Sequence, residues 1–242
     1  MTEQEQAGFD PHLEWAAEGA AALAQACTVL VVVDVLRFTT AVEVAVARGA
    51  RVVPHRWPGR GPSSLSPVSL LAVPPGTRLE LASPNGATVS LAAAEAGAVV
   101  LAGCLRNASA VATAARRLGG PVGVVAAGER RPGGGCRPAV EDLVGAGAVL
   151  HALGGRPSPE ARAAVAAFLH VAADLPATLA GCASGRELAA RASPATSGWP
   201  PSTTSAGWCR AWPARPSLSS AGPGRAGTAR GARWRAGAAR RR

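Results

Sequence analysis

The chain has 242 residues, 48% of them apolar, yet it holds no run of about 18 uncharged apolar residues suited to a membrane span. Its net charge of +10 is localised: residues 1–187 carry 15 Arg against 15 acids, whereas residues 188–242 carry the other 10 Arg and no acid. Five scattered Cys without CxxC spacing argue against a zinc module or a disulfide scaffold, the polar start MTEQEQAGFD argues against a secretory signal, and a cytoplasmic location is expected.

From residue 28 to 153, β-branched runs alternate with Ala-rich stretches of helical character. Residues 28–35 read as a buried strand, 39–48 as a helix opened by two threonines, and 51–55 as the next strand. The stretch 57–71, WPGRGPSSLSPVSLL, is rich in Gly, Pro and Ser and reads as a loop. A short strand at 79–82 leads into the turn SPNG, followed by a helix at 88–96, a strand at 98–102, a helix at 107–118 and a strand at 122–126. A helix at 138–150 carries Glu141 and Asp142 in its first turn, and two more helices are expected at 159–170 and 174–180. This alternation predicts an α/β fold: a largely parallel or mixed sheet covered by helices on both faces, three layers in all. Strands buried on both faces read as continuous apolar runs, as VLVVV does here.

Residues 1–191 are therefore expected to form one α/β domain, and 192–242 a basic, low-complexity tail. The tail has no helical or strand period, contains four of the six Trp, and is expected to be irregular and disordered. Translation in a shifted frame would account for it. Back-translated with GC-rich codons and read two bases later, residues 192–205 regain acids, a tyrosine and a strand-like run.

In open α/β sheets, ligands bind beyond the carboxyl ends of the strands. Four segments fit that placement. After the first strand comes DVLRFTT: Asp34 can hold Mg²⁺, and Arg37 with Thr39 and Thr40 at a helix start makes an oxyanion cradle. By themselves Thr39 reads equally as a cap and Asp34 as the partner of Arg37. Asn85 lies in SPNG, by itself a plain turn. Arg106 and Asn107 follow the next strand, where Asn107 suits a helix cap. The fourth segment lies just beyond the strand at 122–126 and carries Glu129, ahead of the adjacent acids Glu141 and Asp142. Other motifs fail. A haloacid-dehalogenase site needs a second acid where Leu36 stands, a P-loop needs a Lys that the chain lacks, and Cys209 with Arg215 lacks the glycines of a phosphate loop. The four His form no ligand spacing.

The ordered set DVLRFTTAVEVAVARGA, SPNGATVS, GCLRNASAVA, AAGERRPGGGCRPAVEDLVGAG and CASGREL resembles the 2-phosphosulfolactate phosphatase family over about residues 8–190. The resemblance departs at the short WPGRGPS segment and beyond CASGRELAAR. It implies an α/β, Mg²⁺-dependent phosphatase that converts 2-phospho-3-sulfolactate to 3-sulfolactate and phosphate, a step of coenzyme M synthesis. On that basis Mg²⁺ is assigned to Asp34, Glu141 and Asp142, with Asp34 either a ligand or a covalent nucleophile. Arg37 and Arg106 would clamp anionic groups, Thr39, Thr40, Asn85 and Asn107 would donate to substrate oxygens, and Glu129 is the candidate base or a further ligand. The expected partner is a small anionic phosphorylated substrate, with neither membrane nor nucleic acid involved and a homo-oligomer left open. Two other readings stand beside it: an inactive remnant of such an enzyme, and a nucleic-acid binder acting through its Arg-rich tail.

Overall fold

The computed structural model describes residues 6–56, 65–191 and 233–234. The segment 57–64 and the tail, apart from Arg233–Trp234, lie outside the described residues, and with them the expected disorder and the Cys209 to Arg215 motif.

The run VLVVV forms β2 (Val29–Val33), and all five residues are buried. Val29, Val31 and Val33 enter one core, with Val111, Ala146 and Val149. Leu30 and Val32 enter the opposite one, with Ala20, Leu23, Val89 and Ala93. A strand whose alternate side chains are apolar on both faces can only sit between two helical layers. The sheet order is β1 (His12–Trp15), β6 (Val122–Ala126), β2, β5 (Val99–Gly103), β9 (Arg233–Trp234). Its first four strands are parallel and β9 is antiparallel to β5. Helices α1 (Ala16–Leu23) and α4 (Gly86–Glu95) pack on one face. Helices α5 (Ala108–Leu118), α6 (Val140–Leu153) and α7 (Pro159–Val171) pack on the other. The expected three-layer α/β fold is what the chain adopts.

Three features differ from the sequence reading. First, β1 and α1 precede the first expected strand, and His12 and Leu13 of HLEW are buried. Second, β3 (Arg51–His55) and β4 (Arg78–Ala82) form their own parallel pair instead of joining the sheet. They share a core with α2 (Phe38–Ala47) built on Phe38, Val42, Leu79 and Leu81. Pro54 cannot donate to a ladder, which suits β3 to an edge. Third, part of the expected loop is helical: Pro67 opens the single turn α3 (Pro67–Leu70), where its missing N–H costs nothing.

After α6, Ser158 caps α7 by accepting from Ala161 N at 3.1 Å. A Cβ on Gly147 would stand 2.1 Å from the Ala164 carbonyl oxygen, so α6 and α7 cross with backbones nearly touching. The stretch Pro159–Gly181 is apolar enough to cross a membrane by length and composition alone, although Glu160, Arg162 and Asp174 interrupt any long uncharged run. Here a 3₁₀ turn (Ala172–Asp174) divides it into α7 and α8 (Leu175–Gly181). Its residues Ala161, Ala164 and Leu179 join the core beside the sheet. Cys27, Cys104, Cys136 and Cys182 are free thiols.

Candidate active site

Parallel strands bring their carboxyl ends to one edge, and Val33 at the end of β2 registers with Ala126 of β6 and Gly103 of β5. Asp34 is the next residue, 5% exposed. Its Oδ1 accepts from Phe38 N at 3.0 Å, and its Oδ2 from Gly86 N at 2.8 Å and Ser83 Oγ at 3.4 Å. Phe38 and Gly86 open α2 and α4, so one carboxylate satisfies amides at two helix N-termini. The peptide between Leu36 and Arg37 is cis.

Asp142, 4% exposed, reaches the same edge from the first turn of α6. Its Oδ1 accepts from Val35 N at 2.8 Å and its Oδ2 from Gly128 N at 2.9 Å, tying together the ends of β2 and β6. Neither acid makes an ion pair with a described Arg or His. Burial pushes the Asp34 carboxyl from its ordinary 3.8 up to about 6; the Glu129 charge adds to this, while the amides of Phe38 and Gly86 and the Ser83 hydroxyl oppose it. Asp142 is raised well above the usual range, first by burial and then by the charge of Asp34.

Glu129 begins β7 (Glu129–Arg130), which pairs antiparallel with β8 (Cys136–Arg137). Its Oε2 accepts from Asn85 Nδ2 at 2.8 Å and its Oε1 from Ser184 Oγ at 3.3 Å. Arg37 is half-buried, and its guanidinium has no hydrogen-bond partner among the described residues. Burial lowers its pKa, the charge of Arg191 lowers it further, and that of Asp34 opposes both. Arg106 donates from Nε to Glu43 Oε2 at 2.8 Å, leaving its two terminal nitrogens unbonded among the described residues.

Four expected substrate donors have other work. Thr39, fully buried, donates to the Asp34 carbonyl at 2.8 Å and accepts from Asp34 N at 2.9 Å. Thr40 donates to the Val35 carbonyl at 2.8 Å. Asn107 closes the turn into α5, accepting from Cys104 N at 2.8 Å and donating to the Ala102 carbonyl at 3.0 Å. Asn85 is held between Glu129 and Arg130 N, the latter at 3.0 Å. These short polar side chains satisfy the backbone around the site and have little left for a ligand. The expected three-acid metal centre is not assembled either. Among the described residues, no group of three or more His, Cys, Asp or Glu is placed to hold a metal ion. Glu141 is buried beside Cys182, whose thiol rises to about 11, chiefly through burial. Asp34 and Asp142 are the described acids that could hold a divalent cation between them, with no ion-pair partner among the described residues. Two buried carboxylates without an ion-pair partner suit Mg²⁺, which commonly takes one or two protein carboxylates and completes its shell with water and phosphate oxygens. Ser83, Gly86, Glu43 and Ser184 were not assigned from the sequence, although all four lie inside the motifs singled out there.

The buried acids give a stability signature. Between about pH 4 and 6 the folded chain retains a proton on Asp34 that the unfolded chain has released, so stability falls as pH rises through that window and levels above it. Compared with Asp34→Asn, the wild type is expected to lose roughly 1–3 kcal/mol between pH 4 and 7. Urea melts of both proteins across that range measure it; a pH-independent difference would show that Asp34 is not desolvated.

Comparison with protein families finds a match to the model described as 2-phosphosulpholactate phosphatase over residues 63–193. Those 131 residues are more than half of the chain's 242. The match contains Asn85, Arg106, Glu129, Asp142 and Ser184, and it begins downstream of Asp34 and Arg37. Comparison with curated proteins gives no match.

Proposed function

The chain belongs to the 2-phosphosulpholactate phosphatase family, a family of phosphoric monoester hydrolases, and from that premise we propose that it is a Mg²⁺-dependent phosphatase. Its substrate in this reading is 2-phospho-3-sulfolactate, or a related phosphorylated hydroxy acid, cleaved to 3-sulfolactate and phosphate as in coenzyme M synthesis. A cytoplasmic location goes with the reading. The observation that carries it is the buried pair Asp34 and Asp142, tied to the ends of β2 and β6, with the Arg37 guanidinium, unbonded among the described residues, within range of the Asp34 charge.

Such a substrate carries a phosphate, a carboxylate and a sulfonate, so its hydrolysis calls for charge neutralisation and positioning more than covalent chemistry. Asp34 and Asp142 would hold Mg²⁺, which when bound polarises the phosphoryl group and offsets its charge. The engagement of both Asp34 oxygens by helix amides favours the ligand role over the nucleophile. Arg37 and Arg106 would bind anionic groups through nitrogens that no described residue uses. Glu129, with each oxygen already held by one donor, would take the proton from the water that attacks phosphorus as the ester P–O bond breaks.

The test is phosphate release by the purified chain from 2-phospho-3-sulfolactate, phospholactate, 3-phosphoglycerate and p-nitrophenyl phosphate, each with Mg²⁺ and with EDTA. The proposal expects Mg²⁺-dependent turnover, with the highest kcat/KM on the sulfonated substrate. Equal rates across the panel would remove the substrate assignment, and undiminished rates in EDTA would remove the metal.

A further inference from the structure

Ser184 has no role in the scheme so far, yet it is a buried hydroxyl, 4% exposed, whose described partner is the carboxylate of Glu129. It lies in the first turn of α9 (Ala183–Arg191), and the sequence CASG fixes that turn tightly. Cys182 Sγ accepts from Gly185 N at 3.3 Å and donates to the Leu179 carbonyl at 3.1 Å. A Cβ on Gly185 would meet the Leu179 carbonyl oxygen at 1.9 Å, so the corner between α8 and α9 admits only glycine there. Ser184 is thereby held by backbone that has little room to shift.

Glu129 is placed quite differently. It sits on a two-residue strand joined to β8 by RPGGG, where Gly134 and Gly135 adopt positive φ. A two-stranded hairpin of this size fixes a side chain poorly. Two donors on better-anchored elements grip the carboxylate instead: Asn85, which directly precedes α4, on Oε2, and Ser184, from α9, on Oε1.

We propose that Ser184 is a positioning residue for Glu129, clamping the base against Asn85 so that its carboxylate faces the attacking water in one orientation. The inference rests on the functional reading above. Ser184 touches no substrate in this role; it acts through Glu129 alone, and the predicted loss therefore falls on kcat and not on KM.

A double-mutant cycle with Glu129→Gln decides it. Ser184→Ala is expected to lower kcat about tenfold, the low end for a hydrogen bond of this length to a charged group, with KM unchanged. Ser184→Thr should restore most of the rate. In the Glu129→Gln background, Ser184→Ala should cost nothing further. Ser184→Cys keeps a donor on the same carbon, larger and weaker than the hydroxyl, and should give an intermediate kcat, so it stands in if the Ala variant fails to fold. An active wild type in which Ser184→Ala leaves kcat unchanged, or costs the same factor with and without Glu129, overturns the inference alone. A folded wild-type chain that releases phosphate from no substrate overturns the functional reading and this inference with it.

Discussion

Asp34→Asn should lower phosphate release about 10³-fold or more, the equivalent of several kcal/mol of lost electrostatic assistance. The substitution removes the charge but retains the shape. It also has a folding cost that the sequence does not reveal. The carboxylate accepts Phe38 N on one oxygen and Gly86 N on the other. An Asn can turn its carbonyl to only one of them, and its NH₂ then opposes the remaining N–H. An unsatisfied buried donor costs about 1–3 kcal/mol, partly offset because no charge is buried. Urea melts beside steady-state kinetics separate the two effects. If Asp34 serves only to join the starts of α2 and α4, the variant melts earlier but keeps its turnover while folded, and its place in the chemistry is lost.

The second large effect is expected at a residue without a side chain. Gly86→Ala replaces the poorest common helix former with the best, and propensity alone predicts a gain of about 1 kcal/mol. The structure predicts the reverse. A Cβ at Gly86 would lie 2.6 Å from Asp34 Oδ2, 2.6 Å from Phe38 Cδ1 and 2.7 Å from Asp34 Cβ. Both neighbours are buried at the base of the site, so the strain must move the carboxylate or the start of α2. A net loss of about 1–3 kcal/mol is expected, together with a fall in kcat of about 10²-fold from misplacing Asp34. Gly133→Ala is the control: nothing lies within 4 Å of its added Cβ, and both stability and turnover should hold. An unaffected Gly86→Ala enzyme would mean that the position of Asp34 matters little.

The sheet was legible where burial left only one arrangement. VLVVV, with β-branched residues on both faces, could hardly be anything but a central strand, and β6 covers the residues 122–126 expected of it. Pairing was less accessible. RVVPH and RLELA read as ordinary strands, and nothing in their alternation says that they pair only with each other. The short HLEW carries too little pattern to announce an edge strand.

At the site, the sequence located the strand ends but could not distribute roles among neighbours. Glu141 and Asp142 differ by about 100° around a helix, and both are buried. Only the packing of α6 shows that Asp142 faces the ends of β2 and β6, with Glu141 turned toward Cys182. Thr39 and Asn107 were ambiguous for a chemical reason. A short hydroxyl or amide at a helix start binds its own backbone as readily as a ligand, and here both bind backbone. Asp34 was identified for its charge, but its double hold on α2 and α4 depends on Gly86, 52 residues away, and no local pattern reports such a contact.

The proposed Mg²⁺-dependent phosphatase centre rests on the buried carboxylates at the ends of β2 and β6. Its most direct test is the time course of phosphate release from 2-phospho-3-sulfolactate with the wild type and with Asp142→Asn, at matched folded concentration and saturating Mg²⁺. Steady turnover by the wild type and a loss of about 10²-fold or more in the variant are expected; equal rates for the two proteins would refute the proposed centre.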